Sequence, residues 1–268
     1  RRAAFGYSAG SGNMRFISSV YTDIGIKKKT NQDSALVIEA QTENDNIMIA
    51  CICDGMGGLA KGEVASGALV RSLADWFQNS FPSLYYSGCD SNSVRQALND
   101  LLISMSRKIM MYGRSCGVSL GTTACVLLLC GNRYFVSNVG DSRAYVITER
   151  LYQITKDQTY IQREMDLGRM TYEEAMVDPQ RNVLLQCIGA SDIVEPDFYE
   201  GQLIAGQEFL LCSDGFRHII SPEEIYNALY PPMMTDEAVI RDGLRKLTEL
   251  NKARLEVDNI TSVLIKTE

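Results

Sequence analysis

The chain has 268 residues, room for one large domain or two small ones, and its 46% hydrophobic and 22% charged residues are ordinary for a globular protein with a substantial core. A formal net charge of −7 argues against duplex nucleic acid as the main partner, because affinity for it comes largely from basic side chains set on phosphates. The single histidine, His218, excludes a multi-histidine zinc hydrolase, and no apolar stretch is long enough to span a bilayer or to form the core of a signal peptide.

In chain order, residues 1–13 are small, Gly/Ser-rich and aperiodic. They read as a flexible leader or an expression remnant ahead of a single domain over 14–268. Strand character follows around 16–21 and 34–38. The apolar run Ile47-Met48-Ile49-Ala50-Cys51-Ile52-Cys53 has the character of a buried strand and stops on Asp54-Gly55. Residues 58–77 place Val64, Ala68, Leu69, Leu73 and Trp76-Phe77 at helical spacing. Residues 91–112 do the same with Val94, Leu98, Leu101, Leu102, Met105, Ile109 and Met110. The Trp76-Phe77 pair and the stripe Met105, Ile109, Met110, Met111 are expected in a helix core facing a sheet, with 82–90 as the connection between the helices.

The period then changes. Short apolar or β-branched runs at 122–130, 134–139 and 144–147, punctuated by Gly131-Asn132 and Gly140-Asp141-Ser142, predict an antiparallel meander. The polar stretch after Thr155 has only a weak helical signal, so residues 157–190 form a candidate flap. A second strand, Phe209-Leu210-Leu211-Cys212-Ser213, stops on Asp214-Gly215. Helices are expected over 221–230, with Ser221-Pro222 as N-cap and first turn, and over 236–250, before a closing strand at 260–265. This order points to an α+β fold of antiparallel sheets covered by helices. Five of the eight cysteines (Cys51, Cys53, Cys125, Cys130 and Cys212) lie in or beside apolar runs, and no C-x-x-C pair occurs. They are expected as small buried hydrophobes in a reducing compartment, which makes the cytoplasm the expected location.

Two strands that each end on Asp-Gly suggest one device used twice. Asp33, in Asn31-Gln32-Asp33-Ser34, and Asp258, which opens the last strand, share the pattern. Carboxylates gathered at strand ends, with almost no histidine available, suit a hard divalent cation. A carboxylate ending a strand can bridge two cations, the Gly55 carbonyl can add an oxygen, and Gly57-Gly58 keep the turn open to solvent. One Asp-Gly alone is most often just a turn; two at the ends of apolar runs, with Asp33 and Asp258-Asn259, carry more. Phosphoryl hydrolysis leads the chemistry such a site suggests.

The series Gly25, Asn31-Gln32-Asp33-Ser34, Cys53-Asp54-Gly55-Met56-Gly57-Gly58, Gly121-Thr122-Thr123, Asn138-Val139-Gly140-Asp141-Ser142-Arg143, Thr155-Lys156-Asp157, Cys212-Ser213-Asp214-Gly215 and Asp258-Asn259-Ile260-Thr261 resembles the metal-dependent protein phosphatase 2C (PPM) family. It is most similar to the bacterial serine/threonine phosphatase branch, and its blocks keep the family's order from about Arg15 to Lys266. The resemblance implies an αββα four-layer sandwich, two antiparallel β-sheets face to face with helices outside, and a dinuclear Mn²⁺ or Mg²⁺ centre in the cleft. By the same resemblance, Asp54 bridges two metals and the Gly55 carbonyl binds one of them. Asp214 and Asp258 hold the other, Asp33 acts through water, and Asp141 with Asp214 takes a third ion. The implied catalytic set is Asp54, Asp214 and Asp258, and the implied reaction is direct attack of a metal-bridging hydroxide on a phosphoester. Implied partners are phosphoserine and phosphothreonine proteins and a cognate serine/threonine kinase, with no nucleic acid and no membrane.

Two departures from the family pattern matter. Relatives place a phosphate-gripping arginine three residues after the glycine equivalent to Gly25, where this chain has Lys28 between Lys27 and Lys29. Lysine offers a point charge without the bidentate fork, so Lys28 is either a weaker phosphate ligand or a solvated loop charge. Met56 stands where many eukaryotic relatives carry histidine, and methionine cannot protonate a leaving alkoxide. His218 is expected at a surface or a helix start. A non-catalytic module of the same fold, binding a kinase or a stress-response protein, is the alternative function. A haloacid-dehalogenase-type nucleophile at Asp54 fails, because that chemistry needs an aspartate where Met56 stands.

Overall fold

The computed structural model describes residues 14–57 and 61–268; residues 1–13, read above as a leader, lie outside the described residues. The described chain runs β1 (Phe16–Asp23), β2 (Asp33–Gln41), β3 (Asn46–Gly57), α1 (Gly62–Asn79), α2 (Phe81–Tyr86), α3 (Ser91–Cys116), β4 (Leu120–Thr122), β5 (Ala124–Cys130), β6 (Arg133–Val139), β7 (Arg143–Ile147) and β8 (Leu151–Gln153). It continues through α4 (Tyr160–Asp166), α5 (Tyr172–Val177), β9 (Asp197–Gln202), β10 (Glu208–Cys212), α6 (Asp214–Arg217), α7 (Pro222–Ala228), a 3₁₀ turn, α8 (Glu237–Ala253) and β11 (Ile260–Thr267). One sheet has the order β2-β3-β5-β6-β9 and the other β1-β11-β10-β7-β8, every neighbour antiparallel, with β4 added to the end of β3.

The two-residue period of a strand decides what each sheet face does. Along β3, Ile47, Ile49, Cys51 and Cys53 face outward into a core with α1 and α3, whose Leu69, Leu73, Leu98 and Leu102 are fully buried there. The alternate residues Met48, Ala50 and Ile52 face inward and meet Phe209 and Leu211 of β10 and Val263 and Ile265 of β11. On the second sheet Leu210, Cys212 and Leu264 face outward onto Ile225 of α7 and Ile240, Leu244 and Leu247 of α8. Three apolar layers between four structural layers give the αββα sandwich expected from the resemblance.

The helices begin and end where their chemistry directs. Asp90 caps α3 by accepting from the Asn92 and Ser93 N–H groups, and Ser221 and Glu224 form a reciprocal capping box on α7 with Pro222 in its first turn. The expected helix over 58–77 is observed as α1 from Gly62, and residues 58–60 lie outside the described residues. Trp76, Phe77, Met105 and Ile109 are buried as expected, whereas Met111 is 68% exposed because it falls on the opposite side of α3. The 82–90 connection holds a short helix, α2, whose Phe81 stacks on Phe77.

The expected meander over 122–147 is only partly present. β5 and β6 form the hairpin, but β6 and β7 do not pair: at Gly140-Asp141-Ser142 the chain leaves one sheet and enters the other. Gly140 makes the crossing at φ +102, and a Cβ there would lie 2.7 Å from the Thr123 methyl carbon. The residues read as a tight hairpin turn therefore bridge the two sheets, which carries Asp141 to the rim of the cleft. β8 and β9 are short and of mixed polarity, and carry no strong alternation in the sequence. The 157–190 segment holds α4 and α5 and is tied back by backbone bridges Thr122–Ile188 and Thr159–Leu184. Among the described residues, no helix is long and apolar enough to cross a membrane.

Candidate metal centre at the rim of the cleft

The inward parity that builds the central core also builds the site. In β3 the inward set Met48, Ala50, Ile52 continues to Asp54, and in β2 the set Val37, Ala35 continues to Asp33. On the neighbouring strands the same step beyond the apolar residues reaches Thr123, Ser142, Ser213 and Thr261. An apolar interior thus ends in a polar rim at one mouth of the sandwich. Asp33 and Asp54 are register partners directly across the β2–β3 ladder, a placement in which like charges repel.

Local bonds fix each member. The Asp54 N–H donates to Thr123 Oγ1 at 2.9 Å, the Thr123 N–H donates to the Asp54 carbonyl at 2.9 Å, and the Thr123 and Ser142 hydroxyls meet at 2.7 Å. Gly55 packs so closely on α1 that a Cβ would sit 2.3 Å from the Gly62 carbonyl oxygen, so the second half of this Asp-Gly pair is a packing requirement. Gly215 answers it on the other sheet, where a Cβ would lie 2.2 Å from the Asn259 carbonyl oxygen and 3.2 Å from the Asp258 side chain. Asp214 therefore opens α6 directly against the Asp258-Asn259 turn.

Burial and mutual repulsion dominate the electrostatics. Burial, then the fields of Asp214 and Asp258, push the Asp33 carboxyl up to about 7 against the nearby Thr261 and Ser213 hydroxyls. Ser213 Oγ accepts the Thr261 N–H at 3.1 Å and donates to the Thr261 carbonyl at 3.4 Å, the Thr261 and Thr22 hydroxyls meet at 2.8 Å, and both Asp33 oxygens are without a hydrogen-bond partner. Asp54 is held well above the usual carboxylate range, first by burial and then by Asp33, Asp214, Asp141 and Asp258. Asp141 is pushed up to about 7 by burial and Asp214, with Arg217 pulling the other way. Asp214 Oδ1 is buried without a partner.

The structure thus gathers Asp33, Asp54, Asp141, Asp214 and Asp258 into one field of negative charge. The gathering is a loose one: among the described residues no three or more His, Cys, Asp or Glu side chains are placed so that they could hold a metal ion between them. An open, all-oxygen donor set fits a small hard cation that keeps most of its water and takes one or two carboxylates. Three buried carboxylate oxygens without donors, two on Asp33 and one on Asp214, fit such an ion as well.

Lys28 lies on this rim. Its exposed ammonium meets Asp258 Oδ1 at 2.7 Å and feels Asp54 and Asp214. His218, expected at a surface or helix start, caps the end of α6 between Asp214 Oδ2 at 3.4 Å and Glu256 Oε2 at 3.6 Å. Burial opposes its charge, but the Glu256 bond and the Asp214 field prevail and its pKa is raised. Sequence reasoning passed over Arg217, which follows Asp214 by three residues in a helix too short to show a period. Its Nη2 donates to the Asp141 carbonyl at 2.8 Å and to Asp157 Oδ2 at 3.3 Å. Asn259 was also passed over as a clamp: its Nδ2 donates to the Ile24 and Thr30 carbonyls and its Oδ1 accepts from the Gln32 N–H.

Known proteins share this sequence and architecture. The family model described as Protein phosphatase 2C matches residues 26–251. The serine/threonine protein phosphatase PstP of Mycobacterium tuberculosis is 32% identical over 244 residues, 91% of this chain but 43% of that protein, so the chain spans less than half the length of that relative. Protein phosphatase PhpP of Streptococcus pneumoniae is 31% identical over 250 residues, 92% of this chain and 96% of its own length. A crystal structure of the catalytic domain of PstP in complex with two manganese ions superposes with a TM-score of 0.77 at 28% identity, covering 95% of this chain and 99% of that one. With this match over most of its length, the chain belongs to the protein phosphatase 2C family, in its bacterial serine/threonine branch.

Proposed function

We propose that this chain is a metal-dependent protein serine/threonine phosphatase working on a dinuclear Mn²⁺ or Mg²⁺ centre, with Asp141 and Asp214 as the place for a third ion. The observation that carries the reading is the set of inward-facing carboxylates that repel one another and keep oxygens without donors at the mouth of the cleft. Relatives named as phosphatases support a catalytic role over a binding-only module.

In this reading Asp54 and the Gly55 carbonyl hold one ion, and Asp54, Asp214 and Asp258 hold the other. Asp33, its acceptors free, binds through water. Bound there, the ions supply Lewis-acid charge that acidifies water and stabilises the phosphoryl group as it gains charge. The protein does the rest. Thr123 fixes the Asp54 backbone, Asn259 fixes the Asp258 turn, and the apolar interior behind the rim keeps bulk water to one side. Lys28, paired with Asp258, would offer its ammonium to a substrate phosphate. Residues 157–190, tied to Thr122 beside the site, are the flap that would meet a phosphorylated protein. The substrate is a phosphoserine or phosphothreonine protein and the opposing partner a serine/threonine kinase. A cytoplasmic location goes with this reading, because a reducing compartment suits eight free thiols, six of them buried.

The test is release of inorganic phosphate from a phosphothreonine peptide with and without Mn²⁺. Excess chelator and Asp54→Asn are each expected to lower turnover more than about a hundredfold, the loss that even outer partners of a metal ligand produce. Full turnover under either condition would overturn the proposal.

A further inference from the structure

Asp258 has a cation of the chain's own. The Lys28 ammonium lies 2.7 Å from Asp258 Oδ1, and the same turn fixes both residues. Gly25 takes φ +78 with its Cα pressed on the Asp258 carbonyl, where a Cβ would stand 2.2 Å away. Asn259, next to Asp258, donates to Ile24 O at 2.9 Å and Thr30 O at 3.2 Å, which bracket the lysines. Lys27, Lys28 and Lys29 are all exposed, and among the described residues only Lys28 of the three forms an ion pair with a carboxylate. The hydrogen bonds from Asn259 hold the loop that carries Lys28 beside Asp258.

Asp258 Oδ1 accepts from the Lys28 ammonium at 2.7 Å and from the Asn259 N–H at 2.8 Å, so a divalent ion on the same carboxylate meets an oxygen already occupied and a positive charge that repels it. We propose that Lys28 is a tethered competitor for the metal at Asp258: its ammonium neutralises the carboxylate charge that an ion would use, and once displaced it is free for an anion at the same rim. This rests on the reading of Asp258 as a metal ligand. It makes metal and anion binding mutually reinforcing, since each favours the state in which Lys28 has left Asp258.

The experiment is calorimetric titration of the chain with Mn²⁺ alone, at fixed pH and ionic strength and without phosphate. Lys28→Met is expected to bind Mn²⁺ about fivefold more tightly, the scale of one partly exposed ion pair. Lys27→Met is expected to stay within about twofold of the parent, because a diffuse field is screened at this range. In an Asp258→Asn background Lys28→Met should give no tightening. Lys28→Gln repeats the measurement if the methionine variant folds poorly by circular dichroism. Unchanged or weaker Mn²⁺ binding in Lys28→Met, equal tightening from Lys27→Met, or tightening that survives Asp258→Asn would each overturn the competitor. If phosphate release stays Mn²⁺-dependent in those cases, the phosphatase reading stands and only this inference falls. A parent chain that neither binds Mn²⁺ nor needs it for turnover overturns both.

Discussion

The acidic rim has a resident cation at each end, and the two are held by different physical means. Beside Asp141, the Arg217 side chain is 11% exposed and bonded to the Asp141 carbonyl and to Asp157, itself gripped by Arg143 through two bonds of 2.7 Å. Beside Asp258, Lys28 is 39% exposed and makes one contact. A planar fork closed into a buried network fixes geometry, while a point charge on a flexible stem can let go. One end of the rim is scaffold and the other is exchangeable.

The sharpest way to break this contrast is to remove the buried cation. Arg217→Met leaves Asp141 short of its counter-charge in a desolvated place while Asp157 keeps Arg143, and loss of one partner from such a network costs about 3 kcal/mol or more. Urea denaturation should show that loss, largely recovered when Asp141→Asn is added, because the second change removes the stranded charge. A loss below about 1 kcal/mol would mean that Arg217 is as dispensable as a surface lysine and that the two ends do not differ.

The same contrast explains what could be read from the sequence. Asp33, Asp54, Asp214 and Asp258 were legible because each ends or begins an apolar run, and strand parity delivers them to one face and one mouth. The sandwich was legible because its strands and helices have distinct periods and ordered motif blocks. Arg217 was not, since its partners Asp141 and Asp157 are 76 and 60 residues away and only the fold brings them together. The crossing at Gly140-Asp141-Ser142 was misread as a hairpin because turn residues say that a chain bends and not which sheet it bends into. The side of α3 on which Met111 lies was lost for a similar reason: adjacent residues on a helix point about 100° apart, so the three consecutive residues Ile109, Met110 and Met111 cannot all be core.

A carboxylate with no bonded cation at all extends the comparison. Glu208 begins β10 fully buried, neither oxygen has a donor, and Lys266 across the ladder gives its ammonium to the Pro231 and Met234 carbonyls. Burial pushes Glu208 up to about 8 and Lys266 offsets only part of it. The folded state then holds a proton that the unfolded chain releases near 4.5, so stability from this group is full below pH 4.5 and falls as pH rises toward 8. Over that window the chain should lose up to about 3 kcal/mol relative to Glu208→Gln, which has no proton to lose. Thermal melts of the two proteins from pH 5 to pH 8 measure the difference directly, and parallel curves would show that Glu208 is charged and stabilised by a partner after all. Taking the variant as the reference cancels Asp33 and Asp141, which titrate in the same direction.

The smallest effect is the most discriminating for Lys28. In the metal-free chain, with chelator present, Lys28→Met should change the unfolding free energy read from urea denaturation by less than about 1 kcal/mol, because a half-exposed pair gains little net energy once side-chain entropy and screening are counted. Whatever remains should shrink further as ionic strength rises past about 0.15 M, where charges at the surface see one another only within about 8 Å. Arg217→Met should keep most of its cost under the same salt, since its partners are sheltered from ions. If Lys28→Met instead unfolds the protein as readily as Arg217→Met does, the lysine is part of the scaffold that shapes the Asp258 turn. It then could not step aside for a metal without the loop giving way.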